Sequence, residues 1–334
     1  MPLIRAIKTP LTPGTVVAVL GSLFVVLAIV ASVGLSVGSV GVPFERLLSV
    51  LAGGGSDVDR TILMDLRLPR VLMAILVGAG LSVAGSVFQA LLRNPLAEPY
   101  ILGISSGGTV GAVIAIGLGL SALLVPAASF AGSILVMAIV YAAAHRRGQL
   151  DTYALLLSGV MTGAFFNALI LLVIAVFNQE LRNAFLWLMG NLSGARPATL
   201  AVVAPPALLA MGGLIWLSRM FNLISTGDES AMQLGVNVPA VKRTAYLLAS
   251  LLTGVVVSVS GVVGFVGLII PHTCRILFGP DHRLLLPASA LLGGSFMVLA
   301  DVVSRVALAP TEIPVGAVTA ALGAPVFIYL LRKS

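Results

Sequence analysis

The sequence predicts an all-α polytopic membrane protein with about ten transmembrane helices and an inverted internal repeat. Three observations lead there. Of its 334 residues, 59% are hydrophobic and 9% are charged, where a soluble domain has about 25% charged, and the mean hydropathy is +1.12. The apolar residues fall in runs of roughly 20, the length a helix needs to cross hydrocarbon. A stretch of the second run also recurs 176 residues later in the seventh. The bilayer core holds no water, so each run must pair its own backbone groups; helices do this, and the alternation of a β-barrel is absent.

The first span, 15–38, follows Arg5 and Lys8. A signal peptide is the competing reading, but the apolar segment exceeds the about 7 to 15 residues of such a peptide and no small-x-small site closes it. The second span, 68–92, is bracketed by Arg67, Arg70 and Arg93 and ends in the turn Asn-Pro-Leu-Ala-Glu-Pro. The third, 99–119, opens on a Gly/Ser-rich stretch, and its glycines at 107–111 suit close helix contact, within or between subunits. The fourth, 122–144, stops at His145, Arg146 and Arg147; the fifth is 152–177 and the sixth 198–218. A polar loop, 221–242, precedes the seventh span, 243–263. The eighth, 265–278, is too short to cross a bilayer straight and contains Pro271, so it is expected to be buried among neighbours or to line a cavity. The ninth, 284–306, and tenth, 313–331, complete the set.

The whole chain, 1–334, therefore reads as one transmembrane domain with repeat halves at 68–177 and 243–331. Aligning 75–95 with 251–271 gives eight identities in 21 positions, among them Gly78 with Gly254, Ser82 with Ser258, Gly85 with Gly261 and Pro95 with Pro271. Spans two and seven are an odd number apart, so the copies run in opposite directions, as in transporters whose pathway lies at the repeat interface. Convergent small-residue packing is the alternative.

With the N-terminus inside, the inner loops hold twelve cations: Arg5, Lys8, Arg93, Arg146, Arg147, Arg219, Lys242, Arg243, Arg275, Arg283, Arg332 and Lys333. The outer ones hold seven: Arg46, Arg60, Arg67, Arg70, Arg182, Arg196 and Arg305. This bias places both termini in the cytoplasm. It also accounts for most of the net charge of +7 without a nucleic-acid partner, and no basic patch with interleaved aromatics points to one.

No phosphate-binding loop, His-Glu-x-x-His pair or dinucleotide fingerprint occurs, so no catalytic residues are assigned and the energy source is expected on a partner. None of the twelve acids is placed near the centre of a span; Asp301 lies toward an end, four residues before Arg305. Proton- and sodium-coupled carriers keep ionisable groups inside the membrane, which counts against that class. His145, His272, His282 and the single Cys274 are not spaced as a metal site, so a transported metal is expected to travel inside a chelate. In the polar loop, Asp228 and Glu229 follow Gly227 and precede Gly235, which suits a short helix with acids at its positive end. Such a helix is a natural docking surface, or else a solvated connector.

Several motifs now converge: RLPR at 67–70, QALLRNPLAEPYILGISSGG at 89–108, GDESAMQLGV at 227–236, GFVGLIIPHTCRILFGPDHRLLLPASALLGGSFMVLADVVSR at 264–305 and EIPVGAVTAALGAPVFIYLLRK at 312–333. Together they resemble the FecCD family of ABC importer permeases, which includes bacterial cobalamin, ferric siderophore and haem permeases. The resemblance implies the type II ABC importer permease fold, in a multi-pass subunit of the bacterial inner (cytoplasmic) membrane. It implies a second permease subunit, in a homodimer, two ATPase subunits that bind ATP and Mg, and a substrate-binding protein, periplasmic or lipid-anchored. This chain itself would hold no cofactor. Carried over by motif, Gly227, Asp228, Glu229, Ser230, Ala231, Leu234 and Gly235 would form the helix that couples to the ATPase. Arg67, Arg70 and Arg305 would pair with glutamates of the binding protein, a role suited to a planar guanidinium fork. Alternatively Arg67 and Arg70 anchor a helix end, and Asp301 neutralises Arg305 at i, i+4. The cytoplasmic gate would use Asn94 with Leu96 and Asp151 with Thr152, where Asp151 departs from the small hydroxyl residue expected. Met161, Phe165 and Asn167 would line the pathway, with Phe165 or Phe166 as core residues instead.

The resulting expectation is ATP-driven import of an intact metal chelate by alternating access, ferric siderophore first, then haem or cobalamin. The alternative is a proton-coupled secondary transporter of a small organic solute, working through Asp301 or Asp151.

Overall fold

The computed structural model describes residues 12–331 except 39, 40, 42, 122, 147 and 177–180. The terminal cations Arg5, Lys8, Arg332 and Lys333, and Arg147, lie outside the described residues.

Among the described residues fifteen α-helices follow one another: α1 Pro13–Ser36, α2 Phe44–Leu51, α3 Asp57–Arg60, α4 Leu68–Leu91, α5 Ile104–Gly117, α6 Leu124–Ala144, α7 Thr152–Val176, α8 Leu181–Leu188, α9 Pro197–Trp216, α10 Ser218–Ser225, α11 Asp228–Gln233, α12 Val238–Ser260, α13 Val266–Phe278, α14 His282–Val306 and α15 Val315–Leu331, with a 3-10 turn at Pro99–Leu102 before α5. A two-residue hairpin, β1 His145–Arg146 with β2 Gln149–Leu150, joins α6 to α7. Seven helical runs are long and apolar enough to span a bilayer, and three shorter apolar helices, Ile104–Gly117, Val266–Phe278 and Val315–Ile328, bring the described spans to the ten expected. Amphipathic α2 and α8 are too short to register as spans and read as loop in the sequence.

The second span is longer than its apolar run suggests. Helix continues from Asp57 to Leu91, with a π-helical stretch at Thr61–Arg67 just before Pro69. Proline brings no N–H to the ladder, and a shift to wider hydrogen bonding just upstream absorbs that defect without breaking the rod. Polar caps start several of the other helices. Thr12 accepts from Thr15 N at 3.2 Å, Asn237 from Ala240 N at 3.2 Å and Asp281 from Arg283 N at 3.0 Å.

The rod around α4 is the centre of the molecule. Nearly every side chain from Val71 to Leu91 is buried, against α14, α12, α13 and α9, whereas α1, α6, α7 and α9 expose most of their apolar surface. Backbones meet where glycines face each other: a Cβ on Gly78 would overlap the carbonyl of Gly293, and one on Gly85 that of Gly267. The 107–111 glycines resolve to contact inside the chain, with Gly107 against Gly132 and Gly111 against Ala128 of α6.

The short eighth span, α13, is buried from Val266 to Pro271 as expected. The two repeat copies diverge after their shared helical start. α4 runs helical through Gly85 to Leu91, while α12 ends at Ser260 and Gly261 turns out at φ +67°. Irregular backbone at 261–265 then leads into α13.

Candidate functional site

The polar loop forms a clamped helix. Gly227, at φ +125° where a side chain would be strained, turns the chain into α11, and Asp228 and Glu229 occupy its first turn. Asp228 is held from two sides: Oδ1 accepts from Arg93 Nη2 at 2.5 Å and Oδ2 from Lys242 Nζ at 2.6 Å. Ala231 is buried against Ile224, Val236 and Val238, while Glu229, Ser230, Met232, Leu234 and Gly235 are exposed. The result is a short helix rooted by one apolar residue and one acid, with its remaining face free of the fold.

The same clamp reaches the gate turns. Lys242 Nζ also lies 3.4 Å from Thr152 Oγ1, and Arg93 precedes Asn94 in the chain. Asn94 Oδ1 accepts from Leu96 N at 2.9 Å, and Leu96 is exposed. Asp151 caps α7 by accepting from Ala154 N at 2.6 Å, which gives the unexpected acid a local role. Asn94, Leu96, Asp151, Thr152 and α11 thus share one end of the molecule. Asp281 joins them: its carboxylate bridges Arg283 and Asn222 of α10, at 2.6 and 2.7 Å. Burial disfavours its ionisation, but the Arg283 guanidinium and the Asn222 amide outweigh this and hold the carboxyl at about 2.

At the opposite end lie the three arginines expected to dock a partner. Arg67, Arg70 and Arg305 do not stand out as open forks; their side chains are 7%, 11% and 6% exposed. Arg67 Nη1 donates to the Leu35 and Ser36 carbonyls at 2.7 and 2.9 Å, and Arg305 to those of Val37 and Gly34 at 2.9 and 3.0 Å. These are carbonyls at the end of α1, which have no donors of their own and attract cations. Arg70 Nε donates to Asp301 Oδ1 at 2.9 Å, and its two Nη atoms grip both oxygens of Glu312 at 3.0 Å. Asp301, fully buried, also lies 3.0 Å from Arg305 Nε, the i, i+4 neutralisation the spacing allowed.

On α7, Leu155, Gly159, Gly163, Phe166 and Ile170 form the buried stripe. Phe166 is therefore core, while Met161, Phe165 and Asn167 face away from it and are exposed, Asn167 accepting from Ser106 Oγ at 2.8 Å. The histidines do not converge. His145 stacks on Tyr141, His272 meets Phe327 edge-on, and His282 Nδ1 pairs with Asn222 Oδ1.

The FecCD transport family model matches residues 19–333, almost the entire chain. The chain belongs to the FecCD transport family. The cobalamin import permease BtuC of Halobacterium salinarum is 42% identical over 297 residues, covering 87% of this chain and 80% of that one. The hemin transport permease HmuU of Yersinia pestis is 39% identical over 325 residues, covering 94% and 95%. A solved structure described as an inward-facing, metal-chelate type ABC transporter superposes with TM-score 0.87 at 32% identity, covering 95% of this chain and 99% of that one.

Within this FecCD permease the structure adds residues that the sequence did not single out. Glu312 completes the grip on Arg70. A cavity of about 550 Å³ opens among Met73, Leu120, Trp187, Asn191, Arg196 and Thr199. Glu98 is the most consequential: it lies between the spans, half-buried, on a turn that packs into the helical body. Its neighbour Pro99 packs on Gly267, which also touches the Leu81 carbonyl at the middle of α4. Its carboxylate accepts from Phe265 N at 2.6 Å. The only signal in the sequence was an acid between two prolines, which reads as a surface turn.

Proposed function

We propose that this chain is the membrane-spanning subunit of a binding-protein-dependent importer that moves an intact metal chelate into the cytoplasm. Alternating access would be driven by ATP and its Mg ion on two partner ATPase subunits. Two permease subunits, in the first instance identical, would flank the pathway in a bacterial inner membrane, with both termini cytoplasmic. Ferric siderophore is the first cargo to test, then haem and cobalamin.

The observation that carries this reading is α11: a short helix, fixed by Asp228 to Arg93 and Lys242, that offers Glu229, Met232 and Leu234 to a partner at the gate end of the fold. Met161 and Phe165, apolar and exposed on α7, suit a bulky cargo that must slip rather than stick, since conduction needs weak sites. Docking of a binding protein through Arg67, Arg70 and Arg305 then requires an exchange of carboxylates, because Arg70 already holds Glu312. The half-buried acid Glu98, set against the helical body, keeps the proton-coupled carrier as the second reading.

The deciding experiment reconstitutes the permease with its co-purifying ATPase in lipid vesicles and adds binding protein loaded with siderophore, haem or cobalamin. Stimulated ATP hydrolysis and chelate uptake with one loaded form is the expected result. Uptake that follows a proton gradient and needs no ATPase would overturn it.

A further inference from the structure

We propose that Glu98 is a positioning residue for transport: it caps α13 from across the fold and thereby ties the segment 92–103 to α13, so that the two move as one body. The segment leaves the end of α4 at the gate turn and folds back to the level of Leu81, where Pro99 meets Gly267. There Glu98 Oε1 accepts from Phe265 N at 2.6 Å. Phe265 is the residue from which α13 starts, and it sits at φ +69°, a conformation that a side chain disfavours unless something holds it. Two residues on, the Tyr100 hydroxyl accepts from Val263 N at 2.8 Å and donates to Val263 O at 2.6 Å. The turn at 98–100 is thus clipped to the irregular backbone at 263–265 at three points, in a region where unpaired backbone is costly.

The charge of Glu98 is directed at the helix. No lysine, arginine or histidine lies at ion-pair distance from it among the described residues, and the titratable group beside it is Tyr100. Its carboxylate instead faces the N-terminus of α13, where the backbone amides carry partial positive charge. The far end of α13 runs to Gly279 and on to Asp281, which is bound to Asn222 of α10 next to α11. Asn94 and Leu96 lie on the other side, two to four residues before Glu98. The cap therefore joins the gate turn to the helix that leads back to the α11 end. Such a join transmits motion only if both sides shift together, and that is what the experiment reads.

The first arm uses the permease alone in lipid nanodiscs. It compares Glu98→Gln, Glu98→Ala and Glu98→Asp by hydrogen exchange of peptides covering 261–270 and by the rate at which N-ethylmaleimide alkylates Cys274, the buried and sole cysteine of the chain. Loss of a charge-assisted hydrogen bond should raise both rates about tenfold in Glu98→Gln and more in Glu98→Ala, with Glu98→Asp partly restoring them and α14 peptides unchanged. Unchanged exchange in Glu98→Ala, or in Glu98→Gln if that variant fails to fold, overturns the cap. The second arm rests on the transport reading above. In the reconstituted importer, Glu98→Gln should raise ATP hydrolysed per chelate imported about threefold while hydrolysis itself persists. A raised exchange rate with an unchanged ratio reduces Glu98 to local stabilisation and overturns the positioning role. If the unaltered protein imports no chelate, the transport reading falls and takes the coupling claim with it, while the exchange arm still decides the cap.

Discussion

Asp301 illustrates how much one residue's partners decide. Its position four before Arg305 was legible as a local ion pair, but Arg70, 231 residues away, shares the same carboxylate. Removing it leaves two guanidinium groups desolvated with no buried counterion, a loss of about 3–5 kcal/mol for a pair of this kind. Asp301→Ala should accordingly lower the thermal unfolding midpoint of the detergent-purified permease by many degrees. A midpoint within a degree or two of the unaltered protein would show that the arginines find other partners. Glu312, about 40% exposed on its side chain, grips Arg70 from the rim and should cost far less when truncated.

At the scale of elements, glycine contacts and caps set how closely the helices approach. Gly85→Ala would drive a methyl group into the Gly267 carbonyl, and overpacking against a backbone that cannot yield costs about 1–3 kcal/mol. Gly212→Ala in α9 meets nothing within 4 Å and should be neutral or slightly stabilising. Thermal unfolding of the two variants checks the contrast, and equal midpoints would refute the packing account. The tie between α10 and α14 has its own signature. Asp281 is held at about 2, below its ordinary value of 3.8, so its contribution is complete above about pH 4 and lost as pH falls toward 2. Exchange of the α10 backbone should therefore accelerate in that window, and Asp281→Asn should abolish the pH dependence.

For the molecule as a whole, the ten spans were legible because each is a local property: length, apolar content and the charges that end it. The α11 helix was legible for the same reason, through Gly227, two acids and Gly235. What the sequence hid is relative depth. Glu98 sits between Pro95 and Pro99, which locally spell a turn, and only packing on Gly267 carries that turn to the level of mid-α4. Arg67 and Arg305 were legible only as cations that end apolar runs; the carbonyls that cover them come from 31 to 271 residues away. The repeat was visible as identities, but its copies part at Gly85 and Gly261, where one continues a helix and the other breaks it.

The unbroken run from Asp57 to Leu91 has a consequence for the lipid around it. At about 1.5 Å per residue, 35 residues make a rod of about 50 Å, against about 30 Å of hydrocarbon. Its apolar window is 89% buried inside the protein, so the bilayer has almost no purchase on it. A thicker or thinner membrane must act instead on helices that leave their apolar surface outside, such as α1, α6 and α9, tilting a rim around a mast of constant height.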